Sequence, residues 1–257
     1  MQTQSPSALP ASRRVQVLNR TVDLATIGDL DIVAVLPSVP DWRDWFGTAG
    51  PHLLVDPPSV KMGPYAKAVG DLAKFIAGKL RPGPALTLTI ASPLAADGRS
   101  TVAANLAVAC AKHKKKVLLI DADLHRHALG ALFAPVGRPL GLSNALTGSV
   151  YWRDLVTPHA SDPNLEFLSA GTAALGNDLP ATELALLLQE AKPFYDVILF
   201  DSAPLLRHPQ TIDLAVASDA TLLLARRNHT RQSELVSALG YLRRIEARVL
   251  AIALNDA

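Results

Sequence analysis

Three short segments carry residue types suited to phosphate and metal chemistry. The first is Ser92-Pro-Leu-Ala-Ala-Asp-Gly-Arg-Ser-Thr101. Set between a strand and a helix, such a turn aims backbone N–H groups and a helix N-terminus at one point, which is how a chain holds phosphate oxygens. Ala96, Asp97, Gly98, Arg99, Ser100 and Thr101 are therefore the candidate nucleotide-binding residues. Gly98 can adopt the positive φ that a nest of N–H groups needs, and the hydroxyl of Ser100 or Thr101 can face a magnesium ion. Two residues do not suit the task. Arg99 stands where a phosphate loop has lysine, and Ala96 where glycine would serve better. Taken alone, the decapeptide equally suits an ordinary strand-to-helix turn.

The second segment is Asp121-Ala-Asp123 and the third Asp201-Ser-Ala-Pro204, each after an apolar run. Two carboxylates two residues apart at a buried strand end need a cation or hydrogen-bond donors, which makes Asp121 and Asp123 candidates for a proton-accepting or metal-holding role. A helix-capping turn into His125 and Arg126 is the alternative. Asp201 is placed to orient magnesium-bound water, with a plain turn as its alternative. A phosphate-like loop and two acidic tips, in this order, point together to a nucleotide site.

The elements that must position these loops are legible as periodicity. Apolar runs at 86–91, 117–121, 165–169, 197–201, 221–225 and 249–254 read as buried strands, and segments 100–112, 181–191, 210–217 and 232–245 as helices. Such alternation predicts an α/β fold, a mainly parallel sheet with helices on both faces, in which ligands sit beyond the carboxyl ends of the strands. Residues 1–84 read as a proline-rich lead segment with a short strand at 30–36 and one helix over 65–80, weakened by Gly70 and Gly78, and residues 85–257 as the domain proper.

The totals narrow the partners. With 257 residues and 49% hydrophobic content the chain can bury one substantial core. Its 25 basic and 23 acidic residues give no general reason to expect nucleic acid or an anionic membrane surface. The single Cys110 fits a reducing compartment. No apolar stretch approaches the roughly 20 residues of a membrane span, so a cytoplasmic protein is expected. Lys112-His-Lys-Lys-Lys116 reads as a solvated turn, His125 and His127 lack the further ligands of a zinc site, and Trp42, Trp45 and Phe46 read as a docking surface or as loop anchors. Arg226, Arg227, His229 and Arg231 read as a solvated loop near the site, with nucleotide contact as the alternative.

On these motifs the chain resembles the bacterial tyrosine kinases of polysaccharide synthesis and export, relatives of the partition and septum-placement ATPases with a deviant Walker A loop. TIASPLAADGRSTVAANLAVACA resembles the family's Walker A region, VLLIDADLHRH its Walker A′ and VILFDSAP its Walker B. LDIVAVLPSVP is similar to the linker before the kinase domain, and Gly141-Leu142-Ser143 and NLEFLSAG to stretches between the motifs. The resemblance implies a P-loop fold, ATP and magnesium as cofactors, and Asp121 and Asp123 as catalytic base and metal partner. It also implies a partner, a membrane-embedded polysaccharide co-polymerase that controls chain length, with peripheral attachment to the inner membrane through it. The partition ATPases fit less well, because Leu94 stands where their loop carries an extra lysine.

The departures from the family's pattern touch phosphate binding, assembly and phospho-acceptor alike. Arginine is planar and longer than lysine, so Arg99 is not a conservative exchange. His125 replaces an expected arginine, Lys67, Gly70 and Ala73 stand where an oligomerisation helix carries Glu and two Arg, and no tyrosine follows Tyr241. The sequence thus predicts a degenerate kinase serving as an accessory subunit, with an active tyrosine kinase or slow ATPase as the alternative.

Overall fold

The computed structural model describes residues 32–37, 63–133 and 140–256; Trp42, Trp45 and Phe46 lie outside them. An eight-stranded sheet runs through the molecule. Its strands are β1 (Ile32–Leu36), β2 (Leu86–Ala91), β3 (Val117–Asp121), β4 (Thr157–Pro158), β5 (Leu165–Leu168), β6 (Val197–Asp201), β7 (Ala220–Arg226) and β8 (Val249–Asn255). Their spatial order is β1-β8-β7-β2-β6-β3-β5-β4. All neighbours are parallel except β4 and β5. The sequence pattern does not show β4, because two residues ending in proline at a sheet edge leave no period to read.

Helices cover both faces. On one side lie α1 (Pro64–Ala77) and α2 (Arg99–Lys112). After β3 come three short helices, α3 (Gly130–Phe133), α4 (Leu142–Leu146) and α5 (Trp152–Leu155). The longer α6 (Ala181–Ala191), α7 (Gln210–Ala217) and α8 (Gln232–Arg244) follow. Alternation along β3 shows why both faces must be covered: Leu119 points into the core beneath α1 and α2, whereas Leu118 and Ile120 pack with Leu184 and Leu188 of α6. Helix α2 is buried almost throughout because its sequence, RSTVAANLAVACAK, offers alanine on every side and lets α1 and the sheet approach closely. Cys110 sits in this core, its thiol pushed up to about 12 by burial, as expected of an inert structural cysteine.

Helix α1 is amphipathic, with Val69, Leu72 and Ile76 inside and Lys67, Asp71 and Lys74 outside. It runs through Gly70 and ends three residues earlier than its pattern suggests, where Gly78 caps it through its N–H to Lys74 O. Ala73 is fully buried, so an arginine at that position could not present itself to a partner.

Polar residues inside the central strand are satisfied by the layer above it. Thr89 Oγ1 donates to Leu214 O at 3.1 Å, and Thr87 donates through both N and Oγ1 to Asp219. Among the described residues no helix is long and apolar enough to cross a membrane.

Candidate nucleotide site

Strand order brings the three loops together. β6 lies between β2 and β3, so Ile90 pairs with Asp201 and Asp201 pairs with Asp121 across neighbouring strands. The Ser92–Thr101 loop leaves β2 directly beside both acidic tips. Gly98 takes φ 94 as the residue before α2, and no side chain caps the helix there, so the helix N-terminus opens toward the loop as an anion site requires. Ala96, exposed at the loop's crest, is held at φ 63, a left-handed conformation that costs an L-residue about 1–2 kcal/mol. Ser100 and Thr101 are half-buried in the first turn of α2.

Arg99 does not reach out of the loop. Its side chain is buried and folds back beneath the loop, Nε donating to Ser202 O at 2.8 Å and Nη1 to Ser92 Oγ and Leu94 O. Nη2 lies 4.0 Å from Asp123 Oδ2. Burial lowers its pKa, while the carboxylates of Asp201, Asp123 and Asp97 act in the opposite sense. The one cation of the loop is thus engaged with protein oxygens on several sides.

Around it stand four buried aspartates. Asp97 closes the loop on itself, accepting from Leu94 N at 3.0 Å, and is tied to the β7–α8 connection by Thr230 Oγ1 at 2.7 Å and His229 Nδ1 at 2.9 Å. Asp121 accepts from Asp123 N and Leu129 N, both at 3.2 Å, and its pKa stands well above the usual carboxylate range because of burial and the facing charge of Asp201. Asp123 accepts from the backbone N–H groups of His125 and Arg126. Asp201 is different. Both of its oxygens are buried without a hydrogen-bond partner of good geometry, and although Ser100 lies close enough to favour its charged form, burial pushes its pKa up to about 7. A carboxylate so placed, facing a serine hydroxyl and a second aspartate, suits a hard divalent cation, and Asp201, Asp123 and Ser100 form an oxygen set that fits magnesium.

Other residues complete the site that its own motifs do not announce. Asn255, at the end of β8, donates through Nδ2 to Asp97 O at 3.0 Å, and Arg226 Nη1 donates to Ala96 O at 3.0 Å. So Arg226 and His229, read from sequence as part of a solvated loop, brace the Ser92–Thr101 loop instead, and Arg227 pairs with Asp256 at 2.8 Å. His125 meets a further histidine after all: its ring lies 4.1 Å from that of His208, and its Nε2 faces Gln210 Oε1 at 3.0 Å. Among the described residues no three or more His, Cys, Asp or Glu side chains are grouped so as to hold a metal ion by themselves, so the magnesium set rests on two carboxylates and the Ser100 hydroxyl.

The Asn255 contact gives Gly98 a second reason to be glycine. A Cβ there would lie 2.1 Å from Asn255 Nδ2, in addition to the unfavourable φ. Gly98→Ala is expected to destabilise the chain by about 2–3 kcal/mol in chemical denaturation. The Gly98→Ala/Asn255→Ala double variant should recover the steric part and not the conformational part, giving a loss smaller than the sum of the singles.

Comparison with known proteins bears on the chain's relatives and its fold. No family model matches the chain. It is 29% identical over 171 residues to tyrosine-protein kinase ptk of Acinetobacter johnsonii, 66% of this chain and 23% of that protein. It is 29% identical over 174 residues to tyrosine-protein kinase YwqD of Bacillus subtilis, 66% of this chain and 71% of the relative. Against the succinoglycan biosynthesis transport protein ExoP of Rhizobium meliloti it is 30% identical over 173 residues, 65% of this chain and 22% of that protein. The chain therefore spans under a quarter of ptk and ExoP, and most of YwqD. In structure it superimposes on the kinase domain of the Escherichia coli tyrosine kinase ETK with a TM-score of 0.75 at 22% identity, covering 88% of this chain and 90% of that one.

Proposed function

We propose that this chain is a member of the family of bacterial tyrosine kinases and a pseudokinase: an accessory or regulatory protein of exopolysaccharide or capsule synthesis and export rather than a working phosphotransferase. The observation that carries the reading is the inward turn of Arg99. Phosphoryl transfer depends on a cation that meets the β- and γ-phosphates as charge develops on them. Here the cation in that position donates to Ser92, Leu94 and Ser202. To reach a phosphate it must give up hydrogen bonds of a charged donor, each worth about 1.5–3 kcal/mol, so even one left unreplaced weakens binding about tenfold or more. Ala96 adds a side chain at a crest where the backbone is already strained.

In this reading residues 85–257 form the kinase-like domain and residues 1–84 a lead segment. The protein is cytoplasmic and meets the inner membrane through a membrane-embedded chain-length-control protein. Ala96, Asp97, Gly98, Arg99, Ser100 and Thr101 are the inherited phosphate loop. Asp121 and Asp123 are the inherited catalytic pair, and Ser100, Asp123 and Asp201 hold magnesium. When bound, magnesium would neutralise phosphate charge. The chain's own contribution is to fix the loop through Asp97 and Asn255 and to keep Arg99 beneath it.

The test is a calorimetric titration of ATP with magnesium. Arg99→Lys removes the fork that holds the guanidinium inward and supplies a compact, flexible ammonium, so affinity is expected to rise at least about tenfold over the wild type. Tight binding by the wild type with no gain in Arg99→Lys would overturn the reading. One observation favours a second possibility, slow turnover as an ATPase or tyrosine kinase: Asp201 keeps the unpartnered, buried carboxylate of a metal site. Magnesium-dependent ATP hydrolysis by the wild type, lost in Asp201→Asn, would favour it.

A further inference from the structure

At the opposite end of the sheet from the phosphate loop, the starts of β2, β7 and β8 open onto a cleft of about 230 Å³. Its lining includes the apolar residues Pro84, Ala85, Leu86, Ala220 and Leu250. Its lining carries four cations from three different parts of the chain: Lys79 and Arg81 after α1, Lys192 at the end of α6, and Arg248 before β8. Asp219 is the one carboxylate among them. That carboxylate is already committed, since Asp219 Oδ2 accepts from Thr87 N at 2.8 Å and Thr87 Oγ1 at 2.7 Å, and Lys192 Nζ lies 3.2 Å and 3.3 Å from its two oxygens. Among the described residues Lys79, Arg81 and Arg248 have no carboxylate within ion-pair distance, and Lys79 instead lies 4.7 Å above the Phe75 ring. Lys67 and Lys74, by contrast, pair along α1 with Asp71. The cations of the cleft converge on a concavity.

The geometry points to a binding site for a small organic oxyanion, a molecule with a compact body that rests against the apolar lining residues and a phosphate or carboxylate that meets Arg81 and Arg248. Convergent like charges repel until an anion joins them, and arginine forks match both groups bidentately. The volume lies below the about 300–1,000 Å³ of sites for drug-sized ligands, which limits the occupant to roughly the size of one acidic or phosphorylated monosaccharide. The cleft is independent of the phosphate loop, being at the other ends of the strands, and it stands whether or not that loop takes ATP.

Full-length protein at low salt would be titrated calorimetrically with glucose 1-phosphate, glucuronate and glucose, and the same titrations run on Arg81→Ala/Arg248→Ala. Both arginines are exposed, so the double variant is expected to keep its melting temperature. The site predicts a dissociation constant below about 1 mM for at least one of the two acids, none measurable for glucose, and at least about tenfold weaker binding in the double variant. Binding of the ester alone would identify a phosphate site, and of glucuronate alone a sugar-acid site. Failure of both acids to bind, equal binding of glucose, or undiminished binding by the double variant would overturn the inference.

Discussion

Arg99→Ala is expected to cost the fold about 3–5 kcal/mol, the loss typical of removing one partner from a buried charged network. For a chain of this size that corresponds to a fall of roughly 10 °C in melting temperature. The physical reason is the company the guanidinium keeps. With it gone, Ser202 O and Leu94 O lose a charged donor, and Asp97, Asp123 and Asp201 lose the cation that offsets them. A catalytic cation poised for a ligand behaves differently, since its removal relieves a site built for something absent and often leaves stability unchanged or improved. The sign therefore separates a structural arginine from a phosphate-binding one. Arg99→Lys, which retains charge and loses the planar fork, should fall between, at about 1–2 kcal/mol. A neutral or stabilising Arg99→Ala in thermal unfolding would show that the inward hydrogen bonds do not hold the loop.

Asp201→Asn should act in the opposite direction and only at the alkaline side. Burial raises the folded pKa of Asp201 from its ordinary 3.8 to about 7. A carboxyl raised on folding binds protons more tightly in the native state than in the unfolded one. Relative to ionised Asp201, its stabilising contribution is fully present below the unfolded value and is lost as pH rises through about 7. At pH 8 the native state must therefore hold a desolvated anion, a penalty of at most about 4 kcal/mol over this interval. The amide carries no such penalty, so Asp201→Asn should be more stable than the wild type by about 2–4 kcal/mol at pH 8 and nearly equal to it at pH 4. Magnesium added at pH 8 should stabilise the wild type and leave the variant unmoved. A variant equally destabilised at both pH values would mean that the carboxylate is held by interactions the amide cannot replace.

How much of this was legible in the sequence follows from what each feature depends on. β3 and β6 are continuous apolar runs with aspartate at their ends, so their existence and their tips can be read without coordinates. The strand order cannot, yet it is the insertion of β6 between β2 and β3 that makes Asp121, Asp201 and the phosphate loop neighbours. Arg99 is visible as an odd residue in a familiar loop, but the direction of its side chain is set by Ser202, 103 positions away. The bracing of Asp97 by Thr230 and by Asn255 spans more than 130 residues in each case, and no local period marks either partner. His125 and His208 each look isolated along the chain and touch only because the turns after β3 and β6 lie side by side. The oxyanion cleft escapes sequence reading for the same reason: its four cations come from three separate segments and form no run.

Phosphoryl transfer itself tests the central claim most directly. Purified full-length protein, incubated with magnesium and γ-labelled ATP with and without a tyrosine-containing peptide, should transfer no label beyond that of an Asp121→Asn control. Labelling of the protein or the peptide by the wild type, abolished in Asp121→Asn, would contradict the account and return Arg99 to the catalytic machinery.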